Sequence, residues 1–276
     1  MIPGARRRAV KLLFYLILVA FAVWTIFPVY WMVSASLKTR LQIFDKPTLL
    51  FSPTISNYRA AFLLYDGLVK GFLNSLIMMS VSVLFSLALG IPAAYSLGRL
   101  EFRAKKNISF FILSLRIMPP VVAALPIYLL AARFRILDRY ATLILLYTVF
   151  NFPFVIYMLK GFFAEVPLEI EEAAMMDGCS RTRIIWFILP LIAPGIVATT
   201  IFSAILTWNE FICALILTGR HTRTVPVELM TNITSAGIEW GKLMAGGTVA
   251  LFPILVLAIL IQKHLIRGLT LGAVKA

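Results

Sequence analysis

Long apolar runs alternate with short polar segments along most of the chain. Runs without a charged residue cover positions 12–33, 71–98, 140–159, 184–209 and 243–262, and a sixth run, 108–132, contains only Arg116. A helix needs about 20 apolar residues to cross a hydrocarbon core of roughly 30 Å. The pattern therefore predicts an all-α membrane protein, a bundle of six transmembrane helices.

Prolines lie inside these runs, where a water-soluble helix would rarely tolerate them. They are Pro28, Pro92, Pro119, Pro120, Pro126, Pro153 and Pro253. Packed membrane helices can satisfy the carbonyl groups that a proline leaves without a donor. We therefore expect kinks at these positions and not loops.

Composition supports a membrane protein and excludes several other classes. The chain is 61% hydrophobic and 14% charged, with a mean hydropathy of +0.94, whereas soluble domains are roughly 45–50% apolar and 25% charged. The net charge of +14 is scattered between apolar blocks, which argues against nucleic-acid binding. The two cysteines, Cys179 and Cys213, fall near opposite membrane faces, and the two histidines are far apart. We expect neither a disulfide nor a metal site.

The distribution of Lys and Arg predicts the orientation, because positively charged loops stay in the cytoplasm. Positions 99–106 hold four basic residues in eight, and positions 1–11 hold four in eleven. The longer segment 34–70 holds only five, although the short segment 133–139, with three, opposes the rule. We predict that both termini are cytoplasmic and that the whole chain, 1–276, is one transmembrane domain. Its parts outside the spans include an N-terminal arm, 1–11, a cytoplasmic loop, 160–189, and a C-terminal tail, 263–276.

The cytoplasmic loop contains an acidic stretch, EEAAMMDGCS at 171–180, that differs from its apolar surroundings. Pro167 suits the first turn of a helix, acidic residues favour the positive end of its dipole, and Gly178 can end it in a left-handed conformation. Ala173 and Ala174 would let another protein approach closely. A short helix outside the bilayer is predicted, either docking a soluble partner or only capping the bundle.

The same stretch resembles a known motif. EEAAMMDG followed by ILPLIAPG is similar to the EAA loop in the permease subunits of bacterial binding-protein-dependent ABC importers. The matching positions are Glu172, Ala173, Ala174, Gly178, Leu189 and Pro190. The segments at 116–120, 161–174, 208–211 and 268–276 resemble the sugar-importing branch, which includes the maltose-transporter permease. One departure is that Pro190 follows Gly178 by twelve positions, whereas the family usually has thirteen. We expect the deletion in the turn after Cys179.

The resemblance implies a function and a set of partners. The chain would be a permease in the bacterial inner membrane, paired with a second permease, a cytoplasmic ATPase dimer and an extracytoplasmic substrate-binding protein that delivers a sugar. The residues implied in ATPase coupling are Glu171, Glu172, Ala173, Ala174, Asp177 and Gly178. Lys275 in the tail would approach the interface between the two ATPase subunits. ATP and Mg would be bound by the ATPase, because this sequence has no phosphate-binding loop and no cofactor motif; the chain itself is not expected to be an enzyme.

Polar groups at membrane depth are costly and therefore mark candidate positions on a transport path. Asn151 lies near the centre of the fourth run, with Tyr147 and Phe150 beside it, and an amide between aromatic rings suits a sugar. An interhelical hydrogen bond is the alternative for Asn151. Trp208, Asn209 and Glu210 lie near the outer end of the fifth run, where they could line the path, gate it or pack the helices.

Two other functions are less compatible with the sequence than an ATP-driven permease. A single-chain secondary transporter would need coupling-ion sites, such as paired acids within the membrane, and Glu210 is the only candidate acid. A membrane enzyme is disfavoured because no Ser/His pair or metal-ligand pair shares a plausible depth.

Overall fold

The computed structural model describes residues 4–44, 50–64, 67–235 and 237–272. The helices are α1 Gly4–Ser36, α2 Arg40–Phe44, α3 Ser56–Arg59, α4 Gly67–Arg99, α5 Lys105–Ile117, α6 Pro120–Arg133, α7 Tyr140–Glu165, α8 Leu168–Met176, α9 Arg181–Ile188, α10 Ala193–Trp208, α11 Ile212–Leu217, α12 Val225–Met230 and α13 Trp240–Gly272. A π-helical turn, Ala60–Leu64, lies between α3 and α4. Strands β1 Ile233–Thr234 and β2 Gly237–Ile238 pair antiparallel, with Ile233 opposite Ile238.

Four of the predicted spans are single helices of membrane length. Within the described residues, the helical segments that are long and apolar enough to cross a membrane are Val10–Ser36, Gly67–Arg99, Tyr140–Glu165 and Trp240–Gln262. Each contains one of the prolines expected to kink a helix without breaking it, namely Pro28, Pro92, Pro153 and Pro253, and each of these helices is continuous. The chain is therefore a mostly helical, multi-pass membrane protein.

The third predicted span is not a single kinked helix. The run 108–132 is divided between α5 and α6, whose axes differ by 90°. Met118 and Pro119 are both extended, with ψ of 124° and 134°. Each of these residues precedes a proline, and the proline ring disfavours helical ψ in the residue before it. The expectation of a kink at Pro119 and Pro120 was wrong, whereas Pro126 lies inside the continuous α6.

The fifth predicted span is also interrupted. The run 184–209 contains the end of α9, a turn over 189–192 and then α10. Pro190 has no N–H to continue the α9 hydrogen bonds, and Pro194 occupies the first turn of α10, where an N–H is not needed. At 16 residues, α10 is about 24 Å long, which is shorter than a hydrocarbon core of roughly 30 Å.

The structure divides into two compact units. The first contains residues 1–68 and 229–251. Within it, the Asn57 side-chain amide donates to the backbone carbonyl oxygens of Ser36 and Lys38, each at 2.8 Å. The Lys38 ammonium lies 4.8 Å from the centre of the Phe51 ring. The two hydrogen bonds from Asn57 hold the segment after α1 by its backbone, and the Lys38 side chain adds a cation–π contact.

The second unit contains residues 69–228 and 252–276. Its core is built around α7, which contributes Leu143, Leu146 and Tyr147 to one buried cluster and Val155, Leu159 and Phe163 to another. Two glycines permit close approach to α7. A Cβ on Gly90 of α4 would lie 2.5 Å from Val155 Cγ1, and one on Gly195 of α10 would lie 2.4 Å from the Phe162 ring. Helices α4 and α10 can therefore pack against α7 with almost no intervening side chain.

Large apolar side chains also cover much of the outer surface of the helices. Trp24, Phe110 and Trp186 are 80%, 73% and 73% exposed, respectively. Such a surface would be unfavourable in water and is suited to lipid hydrocarbon.

Candidate functional site

The acidic stretch forms a short helix, as expected. α8 starts directly after Pro167 and ends in a turn at Gly178, whose φ is +80°. The Gly178 N–H donates to Met175 O and the Cys179 N–H donates to Ala174 O, both at 3.0 Å. This is a Schellman motif, in which a left-handed glycine lets the last carbonyl groups find donors. The predicted left-handed stop at Gly178 is confirmed.

Most of the predicted coupling residues are accessible on α8 and its C-terminal turn. Glu172, Ala173, Asp177 and Gly178 are exposed, and Ala174 is half-buried. Met176, between them, is 88% exposed. An exposed methionine flanked by carboxylates is a surface with both apolar and acidic character, and it remains accessible in this chain.

Glu171 differs from the other predicted coupling residues because it faces the interior. Its Oε1 lies 2.8 Å from Arg99 Nε, and its Oε2 accepts a hydrogen bond of 2.9 Å from the Tyr95 hydroxyl. Both charged side chains are less than a tenth exposed. The Arg99 guanidinium also donates to the backbone carbonyl of Val166. Glu171 is therefore attached to the end of α4 and is not part of the exposed surface.

Four of the six candidate transport residues converge on one cavity of about 200 Å³. It lies between the α5–α6 break, α7 and the end of α10. Its lining residues are Leu115, Arg116, Met118, Pro120, Tyr147, Phe150, Asn151, Leu206, Thr207 and Glu210. Four residues named from the sequence, Tyr147, Phe150, Asn151 and Glu210, are thus brought together, whereas Trp208 and Asn209 are not among the lining residues.

Asn151 makes the interhelical hydrogen bond that was the alternative to substrate contact. Its Nδ2 donates to Thr207 Oγ1 at 2.7 Å, and the Thr207 hydroxyl donates to Ser203 O at 2.9 Å. A side-chain amide has two N–H donors and an oxygen acceptor. One donor therefore joins α7 to α10, while the side chain remains on the cavity wall.

Glu210 fixes the junction between α10 and α11. Its carboxylate accepts hydrogen bonds from the Tyr147 hydroxyl at 2.9 Å, the Cys213 N–H at 2.8 Å and the Ala214 N–H at 3.1 Å. The two N–H groups belong to the first turn of α11, where no carbonyl of the helix itself can accept them. The Glu210 carboxylate is thus held by hydrogen bonds on one edge of the cavity.

Trp208 and Asn209 serve packing and helix termination. Trp208 is 3% exposed, and its ring meets the Phe72 ring edge-on with centroids 5.3 Å apart. The Asn209 side-chain amide donates to Ile205 O at 2.8 Å, within the last turn of α10. These contacts correspond to the packing alternative that was considered for this pair.

Two polar residues of the cavity wall, Thr207 and Arg116, were not among the predicted pathway residues. Thr207 directly precedes Trp208 in the sequence. Its hydroxyl can donate to the carbonyl of Ser203 one helical turn earlier, so a threonine at this position does not by itself indicate a pathway residue. From the sequence, Arg116 was the one charged residue inside an apolar run, where pairing within the protein was favoured over substrate binding. Its guanidinium lies 5.0 Å from the centre of the Phe154 ring. It also lines the cavity, which places a positive charge on the wall.

A separate polar junction fastens two loops of the second unit. Asp138, in the turn between α6 and α7, accepts hydrogen bonds from the N–H groups of Gly219, His221 and Thr222 and from the Thr222 hydroxyl, at 2.7 to 3.1 Å. Burial acts to raise the pKa of Asp138, but these hydrogen bonds to the ionised carboxylate outweigh it and lower the pKa. Among the described residues, no group of three or more His, Cys, Asp and Glu side chains is arranged to bind a metal ion.

The chain is thus a helical protein with several membrane-length helices, a polar cavity beside α7 and an exposed helix, α8, on a short loop. Residues 86–271 match the family described as the inner membrane component of binding-protein-dependent transport systems. The chain belongs to this family. The resemblance inferred from the EAA-like loop is confirmed, as is the prediction that this chain is a permease subunit and not the ATPase. It is a multi-pass inner-membrane protein.

Individual relatives match over nearly their full length. A probable ABC transporter permease protein, y4oR, of Sinorhizobium fredii is 35% identical over 96% of both chains. The trehalose transport system permease protein SugB of Mycobacterium tuberculosis is 33% identical over 99% of both. The diacetylchitobiose uptake system permease protein DasC of Streptomyces coelicolor is 33% identical over 91% of this chain and 92% of its own.

The fold also matches a solved transporter. A chain of a bacterial ABC transporter involved in the import of the acidic polysaccharide alginate superposes with a TM-score of 0.81, covering 95% of this chain and 99% of the other, at 20% identity. At this identity the match concerns the fold alone.

Proposed function

We propose that this chain is the transmembrane permease subunit of an ATP-driven sugar importer, forming half of the translocation pathway with a second permease subunit. The observation that carries the proposal is the cavity in which Asn151, Tyr147, Glu210 and Arg116 meet beside the Phe150 ring. Sugars present hydroxyl groups and apolar C–H faces, and amide, charged and aromatic side chains together can bind both. Relatives named for trehalose and diacetylchitobiose uptake support a sugar as the substrate class.

The cavity volume supports a site that is shared between two subunits. At about 200 Å³, it is smaller than the roughly 300–1,000 Å³ typical of small-molecule sites. A second permease facing this wall would enlarge the space around the sugar. The division of contacts between the two subunits would then decide which sugar is carried.

Energy for transport comes from a partner in this proposal. The exposed surface of α8, with Met176 at its centre and Glu172 and Asp177 beside it, docks on a cytoplasmic ATPase dimer that binds ATP and Mg. Ala173 leaves the exposed surface without a long side chain, the half-buried Ala174 packs on the inner side of the helix, and Gly178 sets the turn that follows. An extracytoplasmic binding protein delivers the sugar. ATPase closure moves α8 and shifts the bundle between two discrete states.

The proposed orientation has six crossings with both termini in the cytoplasm, so that the α8 loop is cytoplasmic. The third crossing would be the bent pair α5–α6 and the fifth the short α10.

The proposed domain boundaries are those predicted from the sequence. One domain covers 1–276, with an N-terminal arm over 1–11, a loop over 160–189 and a tail over 263–276. Helix α1 begins at Gly4, within the arm. Lys275 lies outside the described residues, and its contact with the ATPase interface remains part of the proposal. Residues 177–180 join α8 to α9, and the one-residue shortening is proposed to lie in this connection, after Cys179.

The proposed function can be tested by purification and reconstitution. The tagged chain should copurify with an ATPase, a second permease and a binding protein. Proteoliposomes containing this complex should take up radiolabelled trehalose or diacetylchitobiose with MgATP but not with MgADP. Uptake by the isolated chain, driven by an ion gradient, would instead establish a secondary transporter and refute the proposal.

ATPase docking has its own matched pair of variants. Met176→Glu should lower the amount of ATPase that copurifies, because a charge replaces the most exposed apolar side chain of α8. Met176→Leu keeps the apolar surface and should retain the ATPase. Equal ATPase recovery with both variants would show that this surface is not the docking site.

A further inference from the structure

We infer that the ion pair between Arg99 and Glu171 is the link through which α8 moves the transmembrane helices, so that Arg99 and Tyr95 are positioning residues for energy coupling. The inference rests on the proposed role of α8 as the ATPase-docking helix. It concerns the inner side of α8, opposite the exposed surface that would meet the ATPase.

The first argument is the way α8 is attached. All nine residues of α8 are described, and Glu171 is the only one of them that is buried. One oxygen of its carboxylate is in an ion pair with Arg99, and the other accepts a hydrogen bond from the Tyr95 hydroxyl. Both partners lie in the last turns of α4. The one buried side chain of this helix is therefore held by an ion pair directed at one transmembrane helix, beside the half-buried Ala174, which packs against the neighbouring apolar cluster.

The second argument is the cost of separating the pair. Arg99 and Glu171 side chains are 7% and 8% exposed. Removing one member of a buried pair leaves the other charge without compensation in a poorly solvated site. The Arg99 guanidinium also donates to the backbone carbonyl of Val166, which lies in the short link between α7 and α8. A displacement of α8 would therefore move α4 with it.

The third argument connects α4 to the cavity. A Cβ on Gly90 would lie 2.5 Å from Val155 Cγ1, so that the backbone of α4 packs directly against the Val155 side chain of α7. Tyr147 and Asn151 on α7 line the cavity. A continuous packed route therefore runs from α8 through α4 to α7, and its energetic coupling can be measured directly.

The test measures cavity accessibility in the complete complex with ATPase, second permease and binding protein. The chain carries Cys179→Ser and Cys213→Ala, which remove both of its cysteines, together with Leu206→Cys at the cavity wall. The rate of modification by N-ethylmaleimide is measured without nucleotide and with MgATP and vanadate. The ratio of the two rates reports how far the nucleotide state of the ATPase changes the cavity.

Arg99→Met and Glu171→Gln should each bring the ratio of the two modification rates closer to one by about fivefold or more, which is the lower end of typical coupling between sites. The ATPase should remain bound in both variants. Because the two residues act as a pair, the double variant should lose no more than the more damaging single variant. Arg99→Lys keeps the charge and should recover part of the change. Arg103→Met and Glu165→Gln remove exposed charges near the same helix ends and should behave like the parent.

A purely structural role for the pair would lower the yield of complex and leave the ratio in the assembled complex unchanged. That result would overturn the inference. If Arg99→Met does not assemble, Tyr95→Phe decides, because it removes only the hydroxyl that donates to Glu171; a ratio equal to that of the parent would likewise overturn the inference. A parent complex that binds no ATPase would refute the proposed function instead, so the two failures are distinguishable.

Discussion

Replacing Asn151 by alanine distinguishes the two roles that its position allows. The change removes the 2.7 Å hydrogen bond from Asn151 Nδ2 to Thr207 Oγ1. Thr207 keeps its own donation to Ser203 O, so its hydroxyl proton is not left without an acceptor. Interhelical hydrogen bonds in membranes contribute about 0.6–2 kcal/mol. Because Asn151 already borders a cavity, we expect the loss of stability to stay within that range.

The assay measures both sugar uptake and the thermal stability of the complex. If the side chain also contacts the sugar, Asn151→Ala should raise the sugar concentration needed for half-maximal uptake by roughly 2- to 10-fold, as expected for the loss of one hydrogen bond worth about 0.5–1.5 kcal/mol. Complex assembly and basal ATP hydrolysis should be unchanged. Thermal denaturation of the purified complex measures the stability term separately.

Thr207→Val is the matched control because it removes the same hydrogen bond and leaves the Asn151 amide in the cavity. A purely interhelical role predicts equal effects of the two variants on uptake and stability. A substrate role predicts a larger loss of uptake for Asn151→Ala. In addition, the thiol in Asn151→Cys should react with a small reagent and be protected by the sugar. An unreactive thiol that the sugar does not affect, in a complex that still transports, would refute the substrate role.

Three further predictions concern a turn, a loop junction and the orientation of the chain. Gly178→Val should insert normally but bind less ATPase, because left-handed backbone costs a residue with a side chain about 1–2 kcal/mol; unchanged ATPase recovery would contradict this. Asp138→Asn should destabilise the protein at neutral pH. Because the folded-state pKa of Asp138 is lowered, its contribution is complete above an unfolded pKa of about 3.9 and disappears as pH falls through the folded pKa, so the melting curves of variant and parent should converge in acid. An impermeant thiol reagent added outside should label Ser52→Cys and not Ala104→Cys, and the reverse pattern would exclude a cytoplasmic N-terminus.

Local chemistry explains which elements could be predicted from the sequence. The left-handed stop at Gly178 was predicted because a glycine after an acidic helix is a local signal, and the structure gives it a φ of +80°. The break at Pro119 and Pro120 was also encoded locally, by the effect of each proline on its predecessor, but it was interpreted as a kink. The 90° angle between α5 and α6 depends on how both helices pack and has no counterpart in the local sequence.

The candidate site shows a similar division. Asn151 and Glu210 were identified because a polar side chain in an apolar run is conspicuous. Their partners were not identifiable, since Asn151 bonds to a residue 56 positions away and the Glu210 carboxylate accepts from a tyrosine 63 positions away. Glu171 and Glu172 are adjacent in the sequence and chemically identical, yet only Glu171 is buried.

By itself, the sequence determined that the chain is a helical membrane protein, where its apolar runs lie, and that a short acidic helix ends at Gly178. These properties depend on side-chain transfer energies and backbone preferences, which act over a few residues. Only the tertiary structure decided which face of the acidic helix is exposed and which residues form the cavity. Those outcomes depend on contacts such as Tyr95 with Glu171, 76 positions apart, which exist only when separate helices have packed together.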